Sequence, residues 1–179
     1  MFYKPFYRYK EEVYFSRVFN RSVYTVAKDS MRVAYEWDFG KDNYKVQEWG
    51  IDEQHSKGNQ ENQEILQRLK NGTIPYVIAA NAQSDSFYCA KLVFGFTPQG
   101  TRHLFYRKSD GRAFVFDVAT EDISLKPVYF GDNYLLLEVS VADIPKYKPL
   151  LPAEEYAKIA NAEDDANPVL IKCYYKGNR

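Results

Sequence analysis

The chain of 179 residues is long enough for one domain, and 45% of its residues are apolar, which suffices for a hydrophobic core. Its 24 acidic and 24 basic residues cancel, so the basic excess that is typical of nucleic-acid-binding proteins is missing. No run approaches the roughly 20 apolar residues that span a bilayer, and the first residues lack the pattern of a secretory signal. We therefore expect a soluble protein with no transmembrane segment and no nucleic-acid partner.

Aromatic residues make β structure the first expectation. The chain has 16 Tyr and 12 Phe, whose flat side chains suit half-buried pleated surfaces. The first three strands are predicted at residues 12–17, 22–26 and 31–39. In the third strand, alternation with polar or small residues predicts one buried face made of Met31, Val33, Tyr35, Trp37 and Phe39.

Residues 41–73 are polar and interrupt the strand pattern. Within them, residues 60–70 are predicted to form a helix, because Ile65, Leu66 and Leu69 recur at helical spacing. The dipeptide Asn71-Gly72 is a suitable helix end. An insertion of this kind between strands is expected on the surface.

The rest of the chain returns to strands separated by recognisable turns. Strands are predicted at residues 74–80, 87–96, 101–108, 112–118, 127–130, 134–141 and 168–175, with a short helix at 153–161. The dipeptide Asp110-Gly111 between two strands is a strong hairpin indicator. Strand clusters recur about every 30 to 45 residues, a length typical of propeller blades, although the spacing alone also allows a sandwich.

Short motifs near both ends add a resemblance to a known family. Residues 7–15 (YRYKEEVYF), 21–26 (RSVYTV) and 35–41 (YEWDFGK) resemble the six-bladed β-propeller family of Bacteroidetes, in which a "vyf…d.iY.i" pair precedes "y.idfGk". Residues 164–171 (DDANPVLI) resemble the family's C-terminal "dNPvl" strand, with Ala166 as a departure from that pattern.

The resemblance implies an all-β fold made of antiparallel four-stranded blades that form a partial, open β-propeller. It implies that residues 1–179 are one domain, equivalent to the C-terminal half of a six-bladed ring. Members of the family resemble NHL-like lipoproteins, so the resemblance also implies an extracytoplasmic location, with a lipid anchor in the full-length protein. It implies no reaction, because the family has no established activity.

A half ring has a physical consequence for association. Ring closure leaves a propeller with only short, protected edges. A chain with half the blades exposes faces that normally pack on neighbours, and exposed sheet edges recruit partners. We expect the isolated chain to self-associate or to rearrange its terminal strands over the gap.

Polar residues provide few candidates for catalysis. The chain has no phosphate-binding glycine loop and no Gly-x-Ser-x-Gly elbow. Low-specificity candidates for a hydrolase or lyase site on the propeller axis are His103, Asp85 and Glu121, which missing N-terminal blades would complete. No cofactor is expected.

Metal and disulfide chemistry are also weakly indicated. Cys89, Cys173, His55 and His103 are too far apart in sequence for a recognisable zinc pattern. The acidic runs at 121–122 and 163–165 lack the spacing of a calcium loop, so we expect no metal site. Two buried thiols are favoured, and a disulfide requires that the two strands lie side by side.

Aromatic residues provide the remaining candidates for binding. Trp49, Tyr129 and Tyr134 could stack against a sugar ring or a peptide, whereas Trp37 is expected in the core. The favoured hypothesis is a non-enzymatic binding or scaffolding module that holds a protein, a peptide or a glycan through loops near residues 41–60. The alternative hypothesis is the hydrolase or lyase with its active site on the propeller axis. The third hypothesis is a purely structural half of the propeller that only completes the ring.

Overall fold

The computed structural model describes residues 6–17, 19–28, 30–43, 59–72, 76–95, 98–163 and 166–175. Within them, eleven strands form three antiparallel sheets, and each strand pairs with its neighbours in chain order. Sheet 1 comprises β1 (Phe6–Tyr9), β2 (Glu12–Ser16), β3 (Ser22–Ala27) and β4 (Ser30–Glu36). Sheet 2 comprises β5 (Val77–Gln83), β6 (Phe87–Val93), β7 (Thr101–Arg107) and β8 (Ala113–Asp117). Sheet 3 comprises β9 (Pro127–Phe130), β10 (Tyr134–Val139) and β11 (Val169–Tyr174).

Helices are few and short. The α-helices are α1 (Asn59–Lys70), α2 (Val118–Glu121) and α3 (Ala153–Ala157), and 3-10 helices span Gly40–Asp42, Pro98–Gly100 and Val141–Tyr147. No helix in the described ranges is both long and apolar enough to cross a bilayer. The all-β prediction and the two predicted helices are confirmed. The sequence did not predict β1, α2 or any of the three 3-10 helices of the described residues.

The hairpin predicted at Asp110-Gly111 forms as expected. Strands β7 and β8 are antiparallel, with Leu104 opposite Val115. Gly111 has a φ of +71°, a conformation that L side chains rarely adopt, and its amide donates to the carbonyl of Arg107. Glycine at residue 111 therefore fits the positive φ of this turn, which other residues rarely adopt.

The three sheets are stacked in chain order, with a hydrophobic core on each side of sheet 2. Between sheets 1 and 2 lies an aromatic core whose buried members are Tyr14, Val23, Trp37, Tyr76, Ile78, Ala90 and Leu92. Between sheets 2 and 3, partly buried Phe105 and Phe116 pack against a core whose sheet 3 members are Leu135, Leu137, Val139 and Ile171. Sheet 2 is thus covered on both faces.

Strand β4 departs from the predicted alternation. Val23 of β3 lies opposite Tyr35, but the next residue, Tyr24, lies opposite Val33, so Ala34 is an extra, bulged residue. A one-residue bulge moves every side chain beyond it to the other face. Tyr35 therefore shares the buried face of Val23, and Val33 shares the face of Tyr24.

The prediction of one buried face was accordingly wrong for two residues. Met31 and Val33 are 53% and 56% exposed, whereas Trp37 is 9% exposed and lies in the core. The outer face of sheet 1 carries a cross-strand row made of Phe6, Phe15, Tyr24 and Val33. We call this surface, together with Val13, Val26 and Met31, the open face of sheet 1.

Candidate functional site

A cavity of about 490 Å³ lies where the first strands of the three sheets approach one another. Sheet 1 contributes Phe6 and Tyr7, and sheet 2 contributes residues 80–82 of β5. Sheet 3 contributes residues 126–130, which include all of β9. Cys89, Lys91 and His103 complete the lining from β6 and β7. The volume is typical of small-molecule sites, and most of the lining is apolar.

His103 is a buried histidine with one unused nitrogen. The residue is 1% exposed, and its ring hydrogen-bonds to the backbone of Leu125. Its Nε2 atom has no hydrogen-bond partner among the described residues, so Nδ1 makes the bond to Leu125 and Nε2 keeps a lone pair. Burial, with a smaller effect from the charge of Lys91, lowers the pKa of His103 to about 4. The ring is therefore neutral near pH 7 and can accept a hydrogen bond.

Two lysines give the cavity its charge. Lys91 lies opposite His103 in the β6–β7 pairing and is half-buried, and this burial lowers the pKa of its ammonium group. Lys126 stands exposed, just before β9. Neither ammonium group makes a hydrogen bond or an ion pair within the described part of the chain, and the lining contains no Asp or Glu. The cavity therefore favours an anion.

Asn81 connects the cavity to the aromatic core. Its Oδ1 atom accepts a hydrogen bond of 2.7 Å from the indole nitrogen of Trp37. Its Nδ2 atom is buried and has no partner among the described residues. A buried, unpaired donor is costly unless a water or a ligand satisfies it. Because Asn81 pairs with Ala90 and His103 pairs with Lys91, the side chains of Asn81 and His103 lie on opposite faces of sheet 2.

Tyr129 lines the cavity from β9, and its ring lies on the outer face of sheet 3, because it pairs with Leu136 whereas Leu135 and Leu137 face the core. It is 54% exposed and stacks on Tyr134, with 5.6 Å between ring centroids and 29° between planes. The two rings close over Gly131, where an added Cβ would lie 3.0 Å from Tyr134 Cε1. The absence of a side chain at residue 131 thus leaves room for this pair. Of the predicted aromatic candidates, the structure brings Tyr129 and Tyr134 together.

Trp49 and His55 lie outside the described residues, as does most of the insertion at 41–60. The rim loop that was expected to bind a partner consequently remains a prediction.

Asp85 ties three turns together. Its carboxylate accepts a hydrogen bond from the Tyr9 hydroxyl and lies 2.7 Å from the Lys10 ammonium group. Its backbone amide donates to the Asp132 carboxylate at 2.5 Å. Hydrogen bonds from Lys10 and Tyr9 lower the pKa of Asp85. The three turns that join the first and second strands of each sheet therefore meet here.

The three candidates for axial catalysis are placed differently. His103 lines the cavity, whereas Asp85 and Glu121 are absent from its lining. Glu121 is an exposed residue at the end of α2. Within the described residues no group of three or more His, Cys, Asp or Glu side chains could hold a metal ion.

Cys89 and Cys173 are free thiols in this structure. Burial raises the pKa of Cys89 to about 12, and burial also raises the pKa of Cys173. Cys89 lines the cavity but keeps its proton at neutral pH, so it is a poor nucleophile.

Sequence reasoning missed Lys91, Lys126 and Asn81. One indication was available for Lys91, which is the one charged residue in the otherwise apolar or aromatic strand at 87–93 (FYCAKLV). A charged side chain in a strand that is buried on both faces is energetically costly unless it has a partner, so it indicates a functional position. The sequence contains no comparable indication for Lys126 and Asn81, because their positions in the lining of one cavity depend on how the sheets stack.

Comparisons with known proteins identify the fold. The family model for the 6-bladed beta-propeller matches residues 1–131. A crystal structure of a Bacteroides fragilis protein that carries the name Putative exported protein is similar, with a TM-score of 0.66 and 11% sequence identity. That similarity covers 97% of this chain and 49% of the other, so the chain spans about half the length of that protein. No curated protein matches the chain. The chain, with its stacked antiparallel sheets, belongs to the 6-bladed beta-propeller family.

Proposed function

We propose that the chain is a non-enzymatic binding module and that the cavity between its first strands is the ligand site. The observation that supports this most directly is a mostly apolar cavity of about 490 Å³ whose lining includes two lysines and no carboxylate. Such a mixture, mostly apolar with a few convergent polar groups, is the usual composition of a ligand pocket.

The chemistry of the lining favours binding over catalysis. Catalysis of hydrolysis needs an activated nucleophile or a paired acid and base. Cys89 is protonated at neutral pH, and its pKa is raised by burial with no contribution from His103. The lining offers His103 no carboxylate that could orient it as a base.

The module would be part of a longer ring. Propeller blades surround a central channel, and a cavity lined by the first strand of every described sheet fits the wall of such a channel. We therefore assign residues 1–179 to one domain, the C-terminal half of the ring. The B. fragilis protein is named as exported, which supports an extracytoplasmic location and, with the NHL-like lipoprotein resemblance, a lipid anchor on the full-length protein.

The open faces suggest further partners. The isolated chain would use the open face of sheet 1 to contact a second copy, because two bodies of three sheets supply the six that the family description counts. The rim near residues 41–60 would contact a protein, a peptide or a glycan.

A hydrolase or lyase is the second candidate, and His103 supports it. This histidine is neutral, has a free Nε2 atom and lines the cavity. Incubation of the protein with a ligand found by binding would show whether product forms. Turnover that His103→Gln abolishes while binding persists would replace the binding module with the enzyme.

A blocked cavity tests the proposed function. Ala82 lines the cavity, and Ala82→Phe should fill part of it. Ala113 is exposed on the edge strand β8, so Ala113→Phe is the matched control. In a thermal-shift screen, a ligand at 100 times its Kd should stabilise wild type and Ala113→Phe by about 2.7 kcal/mol and leave Ala82→Phe unchanged. Equal stabilisation of all three proteins would place the site elsewhere.

A further inference from the structure

We infer that two copies of this chain close a ring of six sheets head to tail, with the open face of sheet 1 in each copy packed on the outer face of sheet 3 in the other. The inference rests on the contact with a second copy that the proposed function includes, and it adds the surface of that copy which receives sheet 1. Three observations support it: a second uncovered face, the orientation of the stacked sheets and their number.

Sheet 3, like sheet 1, has one covered face and one uncovered face. Leu135 and Leu137 of β10 face the core toward sheet 2, so the alternate residues of β10 point outward together with their cross-strand partners. Two of these partners on β11, Leu170 and Tyr174, are 61% and 62% exposed. We call this surface the open face of sheet 3, and its residues are Tyr129, Tyr134, Leu136, Glu138, Leu170, Lys172 and Tyr174.

Both open faces resemble the surfaces that pack inside the chain. Between sheets 1 and 2, the ring centroids of Tyr35 and Tyr88 lie 4.2 Å apart. Between sheets 2 and 3, those of Phe87 and Tyr175, the residue just after β11, also lie 4.2 Å apart. Aromatic rings from two sheets thus meet at each internal interface. The open faces carry rings of the same kind, namely Phe6, Phe15 and Tyr24 on sheet 1 and Tyr129, Tyr134 and Tyr174 on sheet 3.

The charged residues of the open face of sheet 3 are compatible with an apolar partner. Glu138 and Lys172 have opposite signs, so this face has no net charge. The Lys172 ammonium group lies 4.1 Å from the ring centroid of Tyr134 and 4.9 Å from that of Tyr174, and such rings attract a cation. Its charge therefore has partners within its own sheet when another surface covers the face.

The orientation of the sheets determines which open faces can meet. The first strand of every sheet borders the cavity, and the turns after these strands meet where Lys10 and Asp132 contact Asp85. The sheets therefore share one edge and one strand direction. Turning a sheet over would exchange its edges or reverse its strands, so no sheet is turned over relative to the next.

Unlike faces consequently meet at both internal interfaces, as the pages of a book do. The open faces of sheets 1 and 3 are unlike faces as well, so their contact repeats the internal arrangement. Two open faces of sheet 1 are alike, and they can meet only if one copy is turned over. A head-to-tail contact is therefore favoured over a symmetric contact between the two sheets 1.

The number of sheets favours closure at two copies. The chain has three stacked sheets within its described residues, and the family description counts six blades. The B. fragilis structure matches 97% of this chain with 49% of its own length, so its fold needs about as much chain again. Head-to-tail contacts give a closed ring when the rotations add up to a full turn. Two copies would then make two identical contacts and cover every sheet on both faces.

Single charges on the two open faces test the pairing by sedimentation velocity, over concentrations that bracket the dimer dissociation constant of the wild type. Val33→Lys and Leu170→Glu, both at exposed residues, should each weaken dimer formation by about tenfold or more, because each buries a charge in both contacts. Ala157→Lys and Ala160→Glu add the same charges at exposed positions in and just after α3, and they should associate as the wild type does. Circular dichroism checks that each variant folds, and Tyr174→Glu repeats the test on the open face of sheet 3.

An equimolar mixture of Val33→Lys and Leu170→Glu provides the sharpest test of the head-to-tail contact. In the mixed dimer one contact has wild-type residues on both sides, and the other places the lysine and the glutamate on facing sheets. Because half of a tenfold loss in free energy corresponds to about threefold, the mixture should form dimers at least about threefold more tightly than either variant alone.

The possible failures are distinguishable. If the wild type forms dimers and both Leu170→Glu and Tyr174→Glu associate as it does, sheet 1 meets a different surface, and only the head-to-tail inference is wrong. Assemblies that grow beyond two copies would contradict ring closure. A monomeric wild type would overturn both this inference and the proposed contact with a second copy, whereas the ligand site is tested separately by Ala82→Phe.

Discussion

The two faces of sheet 1 are both apolar, but only one of them is covered. The inner face places Tyr14, Val23 and Trp37 against sheet 2, where all three are less than 10% exposed. The open face carries Phe6 and Val33, which are 57% and 56% exposed. Monomeric proteins rarely expose a continuous apolar patch across a whole sheet. The comparison therefore indicates that sheet 1, like sheet 2, is built to be packed on both sides.

Truncating one side chain on each face of sheet 1 should give the largest difference in the free energy of unfolding. Trp37→Ala should lower the free energy of unfolding by about 3–5 kcal/mol, because it leaves a cavity and removes the partner of Asn81 Oδ1. Val33→Ala, four residues earlier in the chain but on the open face, should cost about 0.5 kcal/mol or less. Urea unfolding measures both. Similar costs for the two variants would show that the open face is covered in solution.

The covered interface between sheets 2 and 3 should show a pH dependence that the open face lacks. The pKa of His103 is lowered to about 4 in the folded chain, against 6.5 for an ordinary histidine. The unfolded chain therefore binds a proton more readily between these values, and the free energy of unfolding falls as pH drops from about 6.5 to about 4. The full loss is about 3 kcal/mol from this residue.

Unfolding measured across that pH range checks the effect. Carboxylates also titrate at its acidic end, so the informative quantity is the difference between wild type and His103→Gln. That difference should shrink as pH falls through the range. A constant difference would mean that His103 is solvated in the folded chain.

Deleting the bulged residue should have a small effect. Because Ala34 is the extra residue of β4, its deletion leaves Val33 and Tyr35 adjacent and on opposite faces, where they already lie. The altered local twist should cost about 1 kcal/mol, the usual size of a single-site change. If β4 instead alternated strictly from Met31 to Trp37, the deletion would exchange its two faces and unfold the sheet. Near-ultraviolet circular dichroism of Trp37 distinguishes these outcomes.

The same bulge shows how far the sequence could predict the fold. Alternation found β4, and Asp110-Gly111 located its hairpin, because both depend on residues close in the chain. Alternation could not show that Met31 and Val33 face away from Trp37, since the extra residue is visible only in the pairing with β3. The short strand β1 was missed because its four residues are all large and carry no clean period of two.

The candidate site was even less accessible to sequence reasoning. His103 and Tyr129 were named as isolated candidates, and the structure places both in one cavity. Asp85 and Glu121 were grouped with His103 on residue type alone, and the cavity lining does not include them. Lys91 and Asn81 line the cavity from neighbouring strands of sheet 2, and the position of this cavity depends on stacking between sheets that no local pattern encodes.

The central claim is that the open face of sheet 1 is an interface. Its most direct test is sedimentation velocity over a range of concentrations, with the open face intact and with charged residues introduced on it. Wild type should associate reversibly, and Met31→Lys with Val33→Lys should weaken association by about tenfold or more, since buried charges oppose an apolar interface. Ala157→Lys with Ala160→Lys adds the same charge at exposed positions in and just after α3, and it should associate as wild type does. A wild-type chain that stays monomeric at every concentration and unfolds in one cooperative step would contradict the account.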